Sequence, residues 1–221
     1  MRFDLQVIAS WIEPGARVVD LGCGEGELLS FLKEEKGVKA VGIEKDEHEV
    51  SACIAKGLSV LHGDFSQEVD DYPPNAFDYV VLSQTLQQVY EPVVLLQKLL
   101  AIGRRVIVSF PNFSHWRIRW QLLSSGHAPV SRELPFAWYE TPNIRVITLK
   151  DFRKFARERG ITIYGQAAVG RFRNGEGRLL RFLPDWRASS GIFLIGLSGD
   201  GSDRDKETVQ TKIDPGALSS C

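Results

Sequence analysis

Three carboxylates, Asp20, Glu44 and Asp64, each stand at the end of a short apolar run, and the first is followed by the glycine-rich segment Gly22-Cys23-Gly24-Glu25-Gly26. Glycines so spaced let a ligand approach the backbone closely and let the turn take dihedrals closed to other residues. The pattern is GxGxG. The dinucleotide fingerprint GxGxxG would place its third glycine at position 27, where Glu27 stands, and no GxxxxGK(S/T) segment is present. Neither a nicotinamide cofactor nor a triphosphate cradle is indicated. Asp20, two residues before the first glycine, suits a ligand with an ammonium group. Glu44, about 20 residues on, can accept both hydroxyls of a ribose. Asp64 can take an exocyclic amine while Phe65 beside it supports the face of a base. Together the three acids describe adenosine joined to a cationic amino acid.

Other reactive side chains carry less. Cys23 lies inside the loop without a histidine partner in its sequence context and reads as a small packed residue rather than a nucleophile. His62, near the third acid, reads as structural rather than as a base. Cys23, Cys53 and Cys221 show no CxxC or Cys/His spacing, so no disulfide framework and no metal site are expected, and a reducing cytoplasm fits. From Gly170 to Arg187, Arg171, Arg173, Arg178, Arg181 and Arg187 face only Glu176 and Asp185, interleaved with Leu179, Leu180, Phe182, Leu183 and Trp186. Such a mixture suits a protein interface or a solvated crossover; nucleic-acid binding is not expected, because no stacking platform or recognised module accompanies the charges.

The elements that must position these residues follow from pattern. A chain of 221 residues, 43% apolar, suits one α/β domain, and a net charge of −1 gives no global field to draw it onto nucleic acid or a membrane. No apolar run approaches the roughly 18 residues a membrane span needs, and no export signal is expected. Short β-rich runs, Arg17 to Leu21, Lys39 to Glu44, Leu58 to Asp64, Phe77 to Leu82 and Arg104 to Phe110, alternate with helical patterns, which implies parallel strands joined by crossover helices. The first, third, fourth and fifth are nearly continuous in Val, Ile and Leu and are expected in the middle of the sheet.

Between them, a helix is expected from Glu27 to Lys36. Asp46 caps another, with Val50, Cys53 and Ile54 on one face and Gly57 as its stop. Pro92 opens a third through Leu96, Leu99 and Leu100, stopped at Gly103. Thr148 with Asp151 leads a fourth, with Phe152, Phe155 and Ala156 inward and Gly160 at its end. Two more β-like runs, Ile161 to Val169 and Gly191 to Leu197, bring the number of strands to seven. The segment 198–221, without aromatic residues and rich in Gly, Ser, Asp and Lys, is expected to be a disordered tail behind a domain spanning 1–197.

Val18 to Gly26 and Glu44 are similar to the first motif and the ribose acid of class I S-adenosylmethionine-dependent methyltransferases. A narrower resemblance, to the MetW family, is carried by Leu82-Ser83-Gln84-Thr85-Leu86-Gln87, by Ile107-Val108-Ser109-Phe110-Pro111-Asn112-Phe113-Ser114-His115-Trp116-Arg117, and by Leu134-Pro135-Phe136-Ala137-Trp138-Tyr139-Glu140-Thr141-Pro142-Asn143-Ile144. The resemblance implies a Rossmann-like fold, with a mostly parallel seven-stranded sheet, an antiparallel final strand and helices on both faces. It implies S-adenosylmethionine or S-adenosylhomocysteine as ligand, contacted by Asp20, Gly22, Cys23, Gly24, Gly26, Glu44, Lys45, Asp64, Phe65, Ser83 and Gln84. It further implies a part in methionine biosynthesis as a partner of homoserine O-acyltransferase.

The alternative is a methyltransferase acting on a small molecule under a lid insertion at 113–148. There Ser114 can cap a helix in which Trp116, Trp120 and Leu123 form an apolar stripe, ended by Gly126, and Asn112, His115 and the Trp138 to Asn143 segment can converge on the ligand. Methyl transfer from a sulfonium mainly needs positioning of the nucleophile. His115, Tyr139 and Glu140 are the candidate bases, while the Asn-Pro-Pro-aromatic element of amino-group methyltransferases is replaced at the fourth strand's end by Leu82-Ser83-Gln84.

Overall fold

The first two expected strands form over the same residues as predicted, β1 (Arg17–Leu21) and β2 (Lys39–Glu44), followed by β3 (Val60–His62), β4 (Phe77–Ser83) and β5 (Gly103–Pro111). The computed structural model describes residues 1–131, 134–171 and 177–197, with the side chain of Arg171 outside the description. The expected tail at 198–221, with Arg173 and Glu176, lies outside the described residues. After β5 come β6 (Ile161–Arg171), β7 (Gly177–Leu179) and β8 (Ser190–Leu197). The sheet order is β3-β2-β1-β4-β5-β8-β6-β7; the first five strands are parallel and β8 runs antiparallel to both β5 and β6.

Two expectations about the sheet need correction. The described sheet has eight strands rather than seven, because Gly177–Leu179, inside the arginine-rich stretch, pairs antiparallel with the end of β6. β3 is an edge strand rather than a central one, with Leu61 and His62 exposed. Its apolar run is spent partly before the strand: Leu58 is buried beneath the glycine loop.

Alternation along the central strands fills two cores. Val19, Val80 and Val108 pack with α5 (Pro92–Ile102) and α7 (Leu149–Glu158) on one face, while Val18, Val81 and Ile107 pack with α1 (Phe3–Trp11) and α2 (Glu27–Lys36) on the other. α3 (Glu47–Ala55) is capped as expected, Asp46 accepting from the N–H groups of His48 and Glu49. Thr148 likewise caps α7, accepting from Asp151 N. Val50 and Cys53 are buried, but Ile54 is 62% exposed and does not share their face. α5 stops at Gly103 as expected, but in extended rather than left-handed backbone: its φ is −121° and it begins β5, where a Cβ would lie 2.4 Å from Val80.

The insertion departs furthest from expectation. α6 (Trp116–Ser125) is capped by His115, whose Nδ1 accepts from Arg117 N, and not by Ser114. Ser114 is buried and donates to Asp185 O at 2.7 Å. Only Ile118 of α6 is buried; Trp120 and Leu123 are 64% and 80% exposed, so the apolar stripe faces outward. Gly126, at φ 67°, ends the helix as expected.

Candidate cofactor site

The strand order reverses between β1 and β4, and ligands in such sheets bind outside the carboxyl ends of the strands at that point. There Gly22, Gly24 and Gly26 all take positive φ, 72°, 54° and 74°. The reason differs along the loop. A Cβ on Gly26 would lie 2.4 Å from Leu58 Cδ1 and 2.9 Å from Cys53 Sγ, so this glycine serves packing against α3 and the segment just before β3. Gly22 instead lines a cleft of about 580 Å³ together with Glu44, Lys45, Asp64 and Phe65.

Glu44 pins the loop to the second strand. Its Oε2 accepts from Gly24 N at 3.0 Å, and its Oε1 accepts from Lys45 N and Asp46 N at 2.8 and 3.0 Å. An ionised carboxylate has about four lone-pair sites, so capacity remains for a ribose hydroxyl. Asp64 opens α4 (Phe65–Glu68) by accepting from Ser66 N. Asp20 is 4% exposed and its Oδ1 has no hydrogen-bond partner among the described residues. Burial, and secondarily the charge of Glu44, raise its pKa to about 7, against a smaller lowering by Arg2. A buried acceptor without a donor, next to a second carboxylate, is suited to an incoming ammonium.

Asp20, Cys23, Gly24, Gly26, Ser83 and Gln84 do not line that cleft. Cys23 packs against Gly42, and burial together with Asp20 pushes its thiol upward, away from a reactive thiolate. Ser83 Oγ is bonded to Ser109 Oγ at 3.1 Å. Gln84 lines a neighbouring cleft, not this one. Sequence reasoning missed the far wall, where Thr85, Gln88 and Tyr90 precede Val94 and Lys98 of α5. Its only signal was position, since residues just past β4 must face the switch point.

The family model for "Methionine biosynthesis protein MetW" matches residues 2–195. The chain belongs to the MetW family. A curated relative, the bifunctional methionine biosynthesis protein MetXA/MetW of Rhodopirellula baltica, is 31% identical over 172 residues, covering 74% of this chain and 28% of that protein. Trans-aconitate 2-methyltransferase of Mycobacterium tuberculosis is 32% identical over 133 residues, covering 57% of this chain and 50% of the relative. The chain thus spans half or less of the length of these relatives. The fold is that of S-adenosylmethionine-dependent methyltransferases: structures from Thermotoga maritima and Archaeoglobus fulgidus match with TM-scores of 0.61 and 0.63 at 17% and 14% identity. These matches cover 87% of this chain in both cases, and 86% and 90% of the neighbours.

In this MetW-family chain the three candidate bases are dispersed. His115 caps α6, Tyr139 is 70% exposed with its ring against Trp138, and Glu140 is exposed; none lines the cleft at Gly22 and Glu44 or the cleft beside it. Asn112, expected to converge on the ligand, is 1% exposed. It donates to Asp185 O and Ala188 O and accepts from Ser114 N and Oγ, so it ties the strand end to α8 (Pro184–Arg187). Among the described residues no helix is long and apolar enough to cross a membrane.

Proposed function

We propose that the chain acts in methionine biosynthesis as a partner and activator of a homoserine O-acyltransferase, with a cleft that binds S-adenosylmethionine or S-adenosylhomocysteine. The observation that carries this reading is the outward face of α6 and α8. Trp116, Trp120 and Leu123 stand exposed, Arg119 lies 5.5 Å over the ring of Trp186, and the acid Asp185 is already paired with Arg153 at 2.6 Å. Exposed aromatic and arginine side chains without free acids suit an apolar, acidic partner surface. The identity of that partner is supported by the Rhodopirellula relative, whose name joins MetXA and MetW. Ligand binding is supported by Asp20, whose orphaned oxygen fits the ammonium of the amino-acid moiety, and by Glu44 at the ribose position. A cytoplasmic location goes with this reading.

The test is co-purification with the homoserine O-acyltransferase and assay of acyl transfer with and without S-adenosylmethionine. A stable complex with raised activity is the expected result, lost in Trp120→Ala with Trp186→Ala. Absence of both complex and effect overturns it. A second reading, a small-molecule methyltransferase, is favoured by the additional cleft beside Gln84. It requires release of S-adenosylhomocysteine on turnover.

A further inference from the structure

Sharing only Gln88 with the cofactor cleft is a second cleft of about 540 Å³, between the start of α1, the end of β4 and the insertion. This volume lies within the range of small-ligand sites. Two of its lining residues are polar and deeply buried: Asp4, 7% exposed, and Gln87, 3% exposed. One oxygen of each, Asp4 Oδ1 and Gln87 Oε1, has no partner among the described residues.

The surroundings hold both acceptors in place. Gln87 Nε2 donates to Gln84 O at 2.6 Å, and Gln87 O accepts from Ile144 N and Arg145 N of the insertion at 3.0 Å each. Gln84 itself takes a φ of 56°, a conformation disfavoured for a non-glycine residue, fixed by its N–H donating to Ser109 O at 3.0 Å. Backbone held in this way concentrates at ligand sites. Arg2, half exposed on the same cleft, gives one N–H to Asp4 Oδ2 at 3.2 Å and keeps others to offer. Phe3, Phe136, Pro142 and Val169 supply apolar wall.

Two acceptors without donors, beside a guanidinium and an apolar wall, match one ligand chemistry. We propose that this cleft binds a small α-amino acid as its zwitterion, ammonium on Asp4 Oδ1 and Gln87 Oε1 and carboxylate on Arg2. The same chemistry could come from the amino-acid portion of S-adenosylmethionine reaching out of the first cleft, so the test separates the two sources. The isolated chain is the sample, and failure to bind an acyltransferase leaves this proposal untouched.

The full chain is titrated calorimetrically with L-homoserine and L-methionine, with and without saturating S-adenosylhomocysteine. The amine-free analogues 4-hydroxybutyrate and 4-(methylthio)butyrate serve as controls. At least one amino acid should bind saturably in both conditions, its analogue at least about tenfold more weakly. Asp4→Asn should reproduce that loss while S-adenosylhomocysteine affinity and melting temperature stay at the wild-type value. Gln87→Met should weaken the amino acid in the same direction. The proposal is overturned if neither amino acid binds, if the analogues bind equally well, or if S-adenosylhomocysteine abolishes amino-acid binding. Should Asp4→Asn fail to fold, the contrast between amine and amine-free ligands in the wild-type chain decides.

Discussion

The ends of β1 to β3 and the insertion at 113–148 both follow carboxyl ends of the parallel strands, yet contacts of opposite range hold them. At the strand ends, the side-chain oxygens of Glu44, Asp46 and Asp64 accept backbone N–H groups mostly one to three residues away, with Gly24 the exception. The insertion is fastened at distant points: Phe113 N to Ile147 O, Ile144 N and Arg145 N to Gln87 O, Asn112 to Asp185 and Ala188. Between those fastenings α6 turns Trp120 and Leu123 to solvent. Local capping builds a rigid rim around the candidate cleft; a few remote anchors leave α6 with an exposed apolar face.

Four changes probe that contrast. Asp20→Asn has the largest expected effect. The folded pKa of Asp20, about 7, lies above its ordinary 3.8, so the folded chain binds more protons than the unfolded one in that window. The ligand-free chain therefore loses stability as pH rises from about 4 to about 7, by about 4 kcal/mol from this group. Asn should remove that slope in denaturant titrations, and should flatten the rise in S-adenosylhomocysteine affinity that ionisation of Asp20 produces between about pH 6 and pH 7.5. A wild-type affinity that falls over that range would show that Asp20 does not meet the ammonium.

Glu44→Ala strips Gly24 of the glycine loop, and Lys45 and Asp46 after β2, of the acceptor for their N–H groups, and removes the carboxylate proposed to meet the ribose. Calorimetry should show S-adenosylhomocysteine affinity down about a hundredfold, about 3 kcal/mol. Unchanged affinity would remove Glu44 from the site. Asn112→Ala should cost about 3 kcal/mol in chemical denaturation, because it orphans buried groups on two segments, with little effect on ligand affinity. If ligand binding falls and stability does not, Asn112 belongs to the site after all. Trp120→Ala should shift stability by less than about 0.5 kcal/mol, as expected for an exposed side chain outside the core. A larger loss would mean that α6 packs on its own domain, which would dissolve the contrast between the two regions.

The sequence by itself determined β1, β2, α2 and the caps at Asp46 and Thr148, because strand alternation, capping oxygens and positive-φ glycines act over a few residues. It also determined Gly22, Glu44, Asp64 and Phe65 as cleft residues, since a strand-end position in a doubly wound sheet fixes which way a side chain can serve a ligand. Only the tertiary structure decided that β3 is an edge, that Gly177–Leu179 forms an eighth strand, and that Asn112 and Ser114 are buried ties to α8. It alone decided that the Trp116, Trp120 and Leu123 stripe faces outward. An apolar stripe specifies that a helix has a face but not what covers it, and residues separated by 70 or more positions, as Asn112 and Ala188 are, meet only once the chain has closed.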